Sequence, residues 1–357
     1  MKILCYSNTF SMDSLRIRIP IQEVEILKPI EFNRFELVDK VTNEITDIKK
    51  DSVNLAESGI SLYLRKEVLS LNSMRGEFMV ILINSKQLKE RYFEGITKET
   101  APLIYDYIIS KGIIKFSYES FINAYCIDVD FKKDIKLKLD FNAVAKTLYS
   151  YTRLENKKTT RHINQKGNQG LEFSKRNITS NQQNPFIKLY NKEIELVNNS
   201  KDFTYKYLTT HLNHLKRLCR IEYTIKNKKH FEQFNIKSTR LKNLLELSDS
   251  KKLEMCQKSL SKHLEYNSIP ELIKKDKSLT ANDIIILNSI EIIINNQPNI
   301  NINNLIEAIT TNIHREQTKR EKRKYIKILY ETHLKPHYKK YHKRNEDLEN
   351  ILKMLFE

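Results

Sequence analysis

Near residue 229 the chain changes its hydrophobic period, and this change constrains the fold more than any other feature. Before it, apolar residues alternate with polar ones in short runs. Leu15, Ile17 and Ile19 interleave with Arg16 and Arg18, and the run ends at Pro20. That is the pattern of a strand with one buried face. Ile60–Leu64, Phe78–Ile83, Tyr125–Phe131, Pro185–Tyr190 and Cys219–Lys226 also read as strands. Helices are expected at Ala101–Lys111, Phe141–Tyr151 and near 202–217. Beyond 229 helical spacing dominates, at 238–247, 251–265, 280–296, 302–332 and 345–356, and Thr280-Ala-Asn-Asp283 fits a capping box. The expected fold class is α+β: an antiparallel-sheet domain over 1–228, then a mainly α-helical region over 229–357. A length of 357 residues suits two domains, each with its own core.

Between the strands, residues 153–184 carry Lys157, Lys158, Arg161, Lys166, Lys175 and Arg176 among Asn, Gln and Thr. They read as a long basic loop or a mobile hairpin, and loops of this length are commonly functional. A second basic stretch lies at 315–344. Twelve Lys or Arg stand there against three Glu, leaving +9 in thirty residues, half of the chain's net +18. A charge run is commonly just a solvated face. Here Tyr325, Tyr330, Tyr338 and Tyr341 are interleaved with Arg320, Lys322, Arg323, Lys324 and Lys327. Cations that neutralise phosphates beside rings that stack on bases point to a nucleic-acid surface.

Several classes are argued against. The chain has only six glycines, all scattered, whereas Rossmann and Walker-type sites cluster glycines where backbone approaches phosphate. Its four cysteines form no CxxC pair, which speaks against a zinc knuckle or a disulfide framework and fits a reducing cytoplasm. Met1–Pro20 lacks the apolar core of a signal peptide, and Ile284–Ile294 is too short to span a bilayer. A membrane-surface role for 302–332 lacks a broad apolar face. The expectation is a soluble cytoplasmic protein with no membrane partner.

Three strands carry polar residues at i and i+2. Asp128 and Asp130 share one strand face, Arg220 and Glu222 another, and Lys188 and Tyr190 a third, which Lys192 joins if the strand continues. Each alone reads equally as the wet face of a half-solvated sheet, and Arg220 with Glu222 as a cross-strand ion pair. In one sheet they would bring carboxylates, a tyrosine and lysines together. That set suits metal-assisted transesterification of a phosphodiester. Asp128, Asp130 and Glu222 would bind Mg²⁺ or Mn²⁺, and the metal would polarise the phosphate. Lysine and metal would favour the phenolate of Tyr190. A phosphotyrosine link keeps the bond energy, so rejoining needs no ATP. Tyr149 and Tyr151 are alternative nucleophiles, on an expected helix. His211 and His214 have same-face helical spacing and read as surface or packing residues.

Tyr190-Asn-Lys192-Glu193-Ile-Glu195 resembles the Tyr-x-Lys-x-x-Glu segment of rolling-circle replication initiators of the filamentous-phage gene II type, with the related trans-acting plasmid initiators and relaxases. Other segments fall in the same order. Met12-Asp-Ser-Leu15-Arg-Ile-Arg-Ile-Pro20 resembles the family's opening strand. Phe78–Ile83 with Asn84-Ser85-Lys86 and Gly95 resembles its strand, polar-lysine turn and glycine. Ile127-Asp128 and Arg220-Ile-Glu222 resemble its acidic strands. The likeness spans roughly 12–230. No His-hydrophobic-His metal pair is present, so metal binding would rest on carboxylates.

The resemblance implies a nuclease domain that nicks one strand at an origin, keeps a 5′-phosphotyrosine link and later rejoins the strand. It implies Tyr190 as nucleophile, Lys192 and Glu195 as its motif neighbours, and Asp128 and Glu222 as acidic, metal-associated positions. Lys188 and Asp130 are added by the strand argument. The expected partners are origin duplex and single-stranded DNA, with a host helicase or polymerase, in the cytoplasm of a bacterial host. The rival reading is a non-enzymatic origin-binding initiator or regulator, which would depend on neither Tyr190 nor metal.

Overall fold

The computed structural model describes residues 9–29, 32–38, 45–71, 74–165, 167–175, 183–264, 278–296 and 301–357. These residues combine a large antiparallel sheet with helices. Twelve strands are present among them: β1 (Ser11–Pro20), β2 (Glu25–Ile26), β3 (Asn33–Val38), β4 (Ile45–Glu57), β5 (Ile60–Leu71), β6 (Met74–Asn84), β7 (Ile114–Lys115), β8 (Tyr125–Lys136), β9 (Arg161–Gln165), β10 (Asn168–Phe173), β11 (Phe186–Asn191) and β12 (Leu218–Ile225). Ten form one sheet in the order β3-β4-β5-β6-β1-β8-β12-β11-β10-β9, and β2 pairs with β7. All six strands expected from alternation are in that sheet.

The alternation explains the layering. Leu15, Ile17 and Ile19 of β1, Val129 and Phe131 of β8, and Ile221, Tyr223 and Ile225 of β12 are all buried. Each such aliphatic side chain contributes roughly 1.5–3 kcal/mol. The helix Phe141–Ser150 packs on β9, β10 and β11 through its buried Val144, Ala145 and Leu148. The helix Asp249–Ser261 lies where the Tyr223 hydroxyl donates to the Lys252 carbonyl at 3.0 Å. The opposite, polar face of the sheet is partly covered by a 3₁₀ element, Ser85–Glu94, and the helix Lys201–Tyr207. They share a cluster of Ile60, Tyr92, Phe93, Leu196 and Phe203.

Two expectations change. The chain divides at Leu264 and not near 228: one compact unit is Met1–Leu264 and a second is Glu265–Leu355. Helical periodicity shows that one face of a helix is apolar but not what covers it. The helices between 228 and 261 belong to the sheet unit, where the Cys126 amide donates to the Thr239 carbonyl at 2.8 Å and the Leu241 amide to the Ala124 carbonyl at 2.9 Å. The segment 153–184, read as a long basic loop or a hairpin, holds the hairpin, since β9 and β10 within it pair and extend the sheet. The single helix expected over 302–332 is two, Ile302–Ile309 and Glu316–Leu329, separated at 310–315.

The second unit has its own core of Leu287, Ile290, Leu305, Ile306, Ile326, Leu329 and Leu334. Its helix Ala281–Asn296 opens with the expected capping box. The Asp283 carboxylate accepts from the Thr280 amide at 2.8 Å, and the Asp283 amide donates to Thr280 Oγ1 at 3.3 Å. No helix among the described residues is long and apolar enough to cross a membrane.

Candidate active site

The sheet register decides which polar residues meet. Lys188 stands opposite Glu222, and Tyr190 opposite Arg220. On the other side of β12, Glu222 stands opposite Lys132, Arg220 opposite Asp134 and Thr224 opposite Asp130. Lys188, Tyr190, Arg220 and Glu222 therefore share one face, as the i, i+2 spacing requires.

Tyr190 sits in a cleft of about 420 Å³ lined also by Asp13, Lys86, Lys188, Lys192, Glu195 and Glu222. Its hydroxyl donates to Glu222 Oε1 at 2.5 Å and accepts from Lys192 Nζ at 3.4 Å. The Lys188 ammonium pairs with the other Glu222 oxygen at 2.6 Å. Asn191 accepts from the Ile194 amide and so starts a helical turn right after Tyr190. That turn folds Lys192 back over the tyrosine ring, 5.3 Å from its centre. It also places Glu195 2.5 Å from Lys192. Ser200 donates to Glu195 at 2.7 Å, and Lys86 to Ser200 at 3.0 Å.

A buried ion network lies beneath the cleft. Arg220 is fully buried and grips Asp134 with two bonds, at 2.6 and 2.8 Å. Its Nη1 also donates to Asp13 Oδ1 and to the Tyr92 hydroxyl, each at 2.7 Å. Lys132 donates to Asp134 and to the Phe93 carbonyl. Gly95, which ends the 3₁₀ element carrying Tyr92, has φ +68, and a Cβ there would collide with the Ser11 side chain. The glycine position is thus tied to the delivery of Tyr92 onto Arg220.

Burial dominates the electrostatics. It pushes the Tyr190 phenol well above its ordinary value, and the Glu222 charge adds to this while Arg220 opposes it. The cations of the chain alone therefore do not favour the phenolate, because desolvation of the anion outweighs them. Glu222 is raised, chiefly by burial, with Lys188 opposing. Burial also works to raise Glu195, but Lys192 and Ser200 more than offset it and hold the carboxyl at about 2. Lys192 is lowered by burial and by Arg220.

The three carboxylates expected to share a metal do not converge. Glu222 lines the cleft, but Asp128 and Asp130 do not. Asp130 accepts from Ser14 at 2.6 Å and Thr224 at 2.5 Å, and Asp128 lies 3.5 Å from Arg16. Alternation put them on the right face but at rows further along the strand. Among the described residues no group of three His, Cys, Asp or Glu is arranged to hold a metal ion. Asp13 and Glu172 are acidic cleft residues that the sequence reading passed over; Asp13 stands singly near the start of β1, outside any i, i+2 pair of charges. Asp134 and Lys132 were missed because β8 runs five residues beyond Phe131. The continued alternation Asp128, Asp130, Lys132, Asp134 was the available signal.

The other nominated residues are dispersed. Arg161 starts β9, exposed and 3.9 Å from Glu172. Lys158 and Lys175 are exposed, Lys157 lies on a 3₁₀ turn, and Lys166 and Arg176 lie outside the described residues. Tyr149 stacks near His162 and Tyr151 is buried, and neither lines the cleft. His211 is buried against Phe93 on a 3₁₀ turn. In the second unit Arg320, Lys322, Lys324 and Lys327 are exposed, whereas Arg323 bonds Glu307 and Thr310. Compared with known families, curated proteins and solved structures, the chain matches no family, no curated protein and no solved structure.

Proposed function

We propose that the chain is a DNA nicking and joining enzyme that initiates rolling-circle replication, with Tyr190 as nucleophile. One observation carries the reading: the Tyr190 hydroxyl donates to a buried carboxylate, Glu222, and has the Lys192 ammonium 3.4 Å away, inside a cleft also lined by Lys86 and Lys188. Tyr190 Oη attacks the scissile phosphorus while its proton passes to Glu222. The bond from phosphorus to the 3′ oxygen breaks, and the strand's 5′ phosphate stays on the tyrosine. Reversal by a free 3′ hydroxyl rejoins the strand. A raised Glu222 is the better base for a raised phenol. Lys192 would stabilise the phenolate as it forms, and Lys188 and Lys86 would offset charge on the phosphate.

Mg²⁺ or Mn²⁺ belongs to the proposal as the group that would polarise the phosphate. Asp13, Glu172, Glu195 and Glu222 are the carboxylates that line the cleft and would supply oxygen ligands. The exposed cations of β9 and of Glu316–Leu329 would hold single-stranded and duplex DNA, with steep salt dependence. A host helicase or polymerase would be a further partner, and the host cytoplasm the location.

The test is incubation of wild type and Tyr190→Phe with supercoiled origin DNA and Mg²⁺ or Mn²⁺, followed by denaturation without protease. The expected result is nicked DNA carrying covalent protein, lost in the Phe variant and with EDTA. Equal adducts from both proteins would move the nucleophile elsewhere. Binding of a verified origin without nicking by either protein would leave the non-enzymatic initiator.

A further inference from the structure

The polar face of the sheet continues past Tyr190. Along β12, Thr224 follows Glu222 on this face. Along β1 and β8, Arg16 stands opposite Asp128 and Arg18 opposite Tyr125, across a register shift between Arg16 and Ile17. At this far end a second cleft, of about 1190 Å³, opens between the sheet and residues 228–239. That exceeds the roughly 300–1,000 Å³ typical of a site for one small molecule, and it suits part of a longer chain.

The lining combines two chemistries. Phe78, Tyr125 and Phe231 supply rings, and Lys226, Lys228 and Lys237 supply cations. Tyr125 is 45% exposed, and the Arg240 guanidinium steadies it 5.3 Å from the ring centre. The bonds from Cys126 to Thr239 and from Leu241 to Ala124 fix the far wall to β8. The single acid of the lining, Glu232, lies 3.5 Å from Lys228. Lys226 and Lys237 form no ion pair with a described residue. An apolar ligand would leave these cations unused, and a small anion would leave the rings unused. A nucleotide uses both.

We propose that this cleft seats an unpaired nucleotide of single-stranded DNA, its base on Tyr125 and Phe78 and its neighbouring phosphates on Lys226 and Lys237. The choice of a strand over a free nucleotide rests on the nicking function proposed for Tyr190, because the same sheet face joins the two clefts.

Binding of a fluorescein-labelled oligothymidylate of about 12 nucleotides, followed by anisotropy without metal, tests this apart from nicking. Tyr125→Ala and Lys226→Glu are each expected to weaken binding about 10-fold or more. Lys258→Gln, exposed and outside both clefts, should bind like wild type. Lys237→Glu, on an exposed loop, provides a second charge variant that leaves the wall bonds intact. A 5-iodouracil oligonucleotide should photo-crosslink to the peptide holding Phe78 or Tyr125. Wild-type affinity in all three cleft variants, with crosslinks elsewhere, would overturn the proposal. Displacement of the oligonucleotide by thymidine monophosphate at similar concentration would overturn the strand in favour of a free nucleotide. If the cleft variants lose binding while Tyr190→Phe still forms adducts, this site stands and the Tyr190 assignment falls.

Discussion

The two units use charge in opposite ways. Around Arg220 the first unit buries Lys132 and Asp134 and half-buries Asp13, and each meets a partner within 2.8 Å. In Glu316–Leu329 the second unit leaves Arg320, Lys322, Lys324 and Lys327 exposed, while only Ile326 and Leu329 of that helix are fully buried. Charges removed from water must be paired and are held in one geometry. Charges left in water hold no geometry but attract polyanions over a Debye length. The first arrangement can aim a nucleophile, and the second can only concentrate a substrate.

The sharpest break of this contrast is Arg220→Ala. It strands Asp13 without its cation and leaves Asp134 with Lys132 alone, and about 3–5 kcal/mol of stability should be lost, read as a shift of the urea midpoint. Next comes Glu222→Gln. Removing the proton acceptor of Tyr190 should slow adduct formation by about 10²–10⁴-fold in a single-turnover assay, with native circular dichroism kept. An unchanged rate would remove Glu222 from the chemistry.

A pH test probes burial without a partner. His263 is buried and both ring nitrogens lack a hydrogen bond. Burial lowers its pKa from 6.5 to about 4, with Lys262 and Arg153 adding to the effect. Between those values the unfolded chain binds the extra proton, so this residue's contribution is complete above about pH 6.5 and is lost as pH falls toward 4. The swing should be up to about 3 kcal/mol. In His263→Phe the stability profile should be flatter over that window than in wild type.

The smallest structural effect belongs to the exposed helix. Arg320→Glu and Lys324→Glu should alter stability by no more than about 0.5 kcal/mol. They should nevertheless weaken DNA binding and lower its salt slope by about one for each phosphate no longer neutralised. A large loss of stability would erase the contrast between the two units.

How much of the site was readable follows the range of the interactions. The grouping of Lys188, Tyr190 and Glu222 was legible because alternation puts i and i+2 on one face and antiparallel pairing aligns the rows. Lys192 and Glu195 were legible as a local motif, since the bond between them spans three residues. Asp13 was not, because its partner Arg220 lies 207 residues away. Asp128 and Asp130 were assigned the correct face and the wrong neighbours. A two-residue slide along a strand preserves the face while moving a side chain by about 7 Å, which takes Asp130 out of the lining of the Tyr190 cleft.

The amino-acid sequence by itself determined the six expected strands, the capped helix at Thr280, the even distribution of polar residues along one sheet face and the basic composition of 315–344. Each depends on backbone geometry over a few residues or on charge that stays in water. Only the tertiary structure decided that the helices between 228 and 261 belong with the sheet, that Arg220 is sealed beneath Tyr92 and not left as a surface ion pair, and that the Tyr190 hydroxyl donates to Glu222. Those outcomes depend on which distant element excludes water from which face, and no local pattern encodes that.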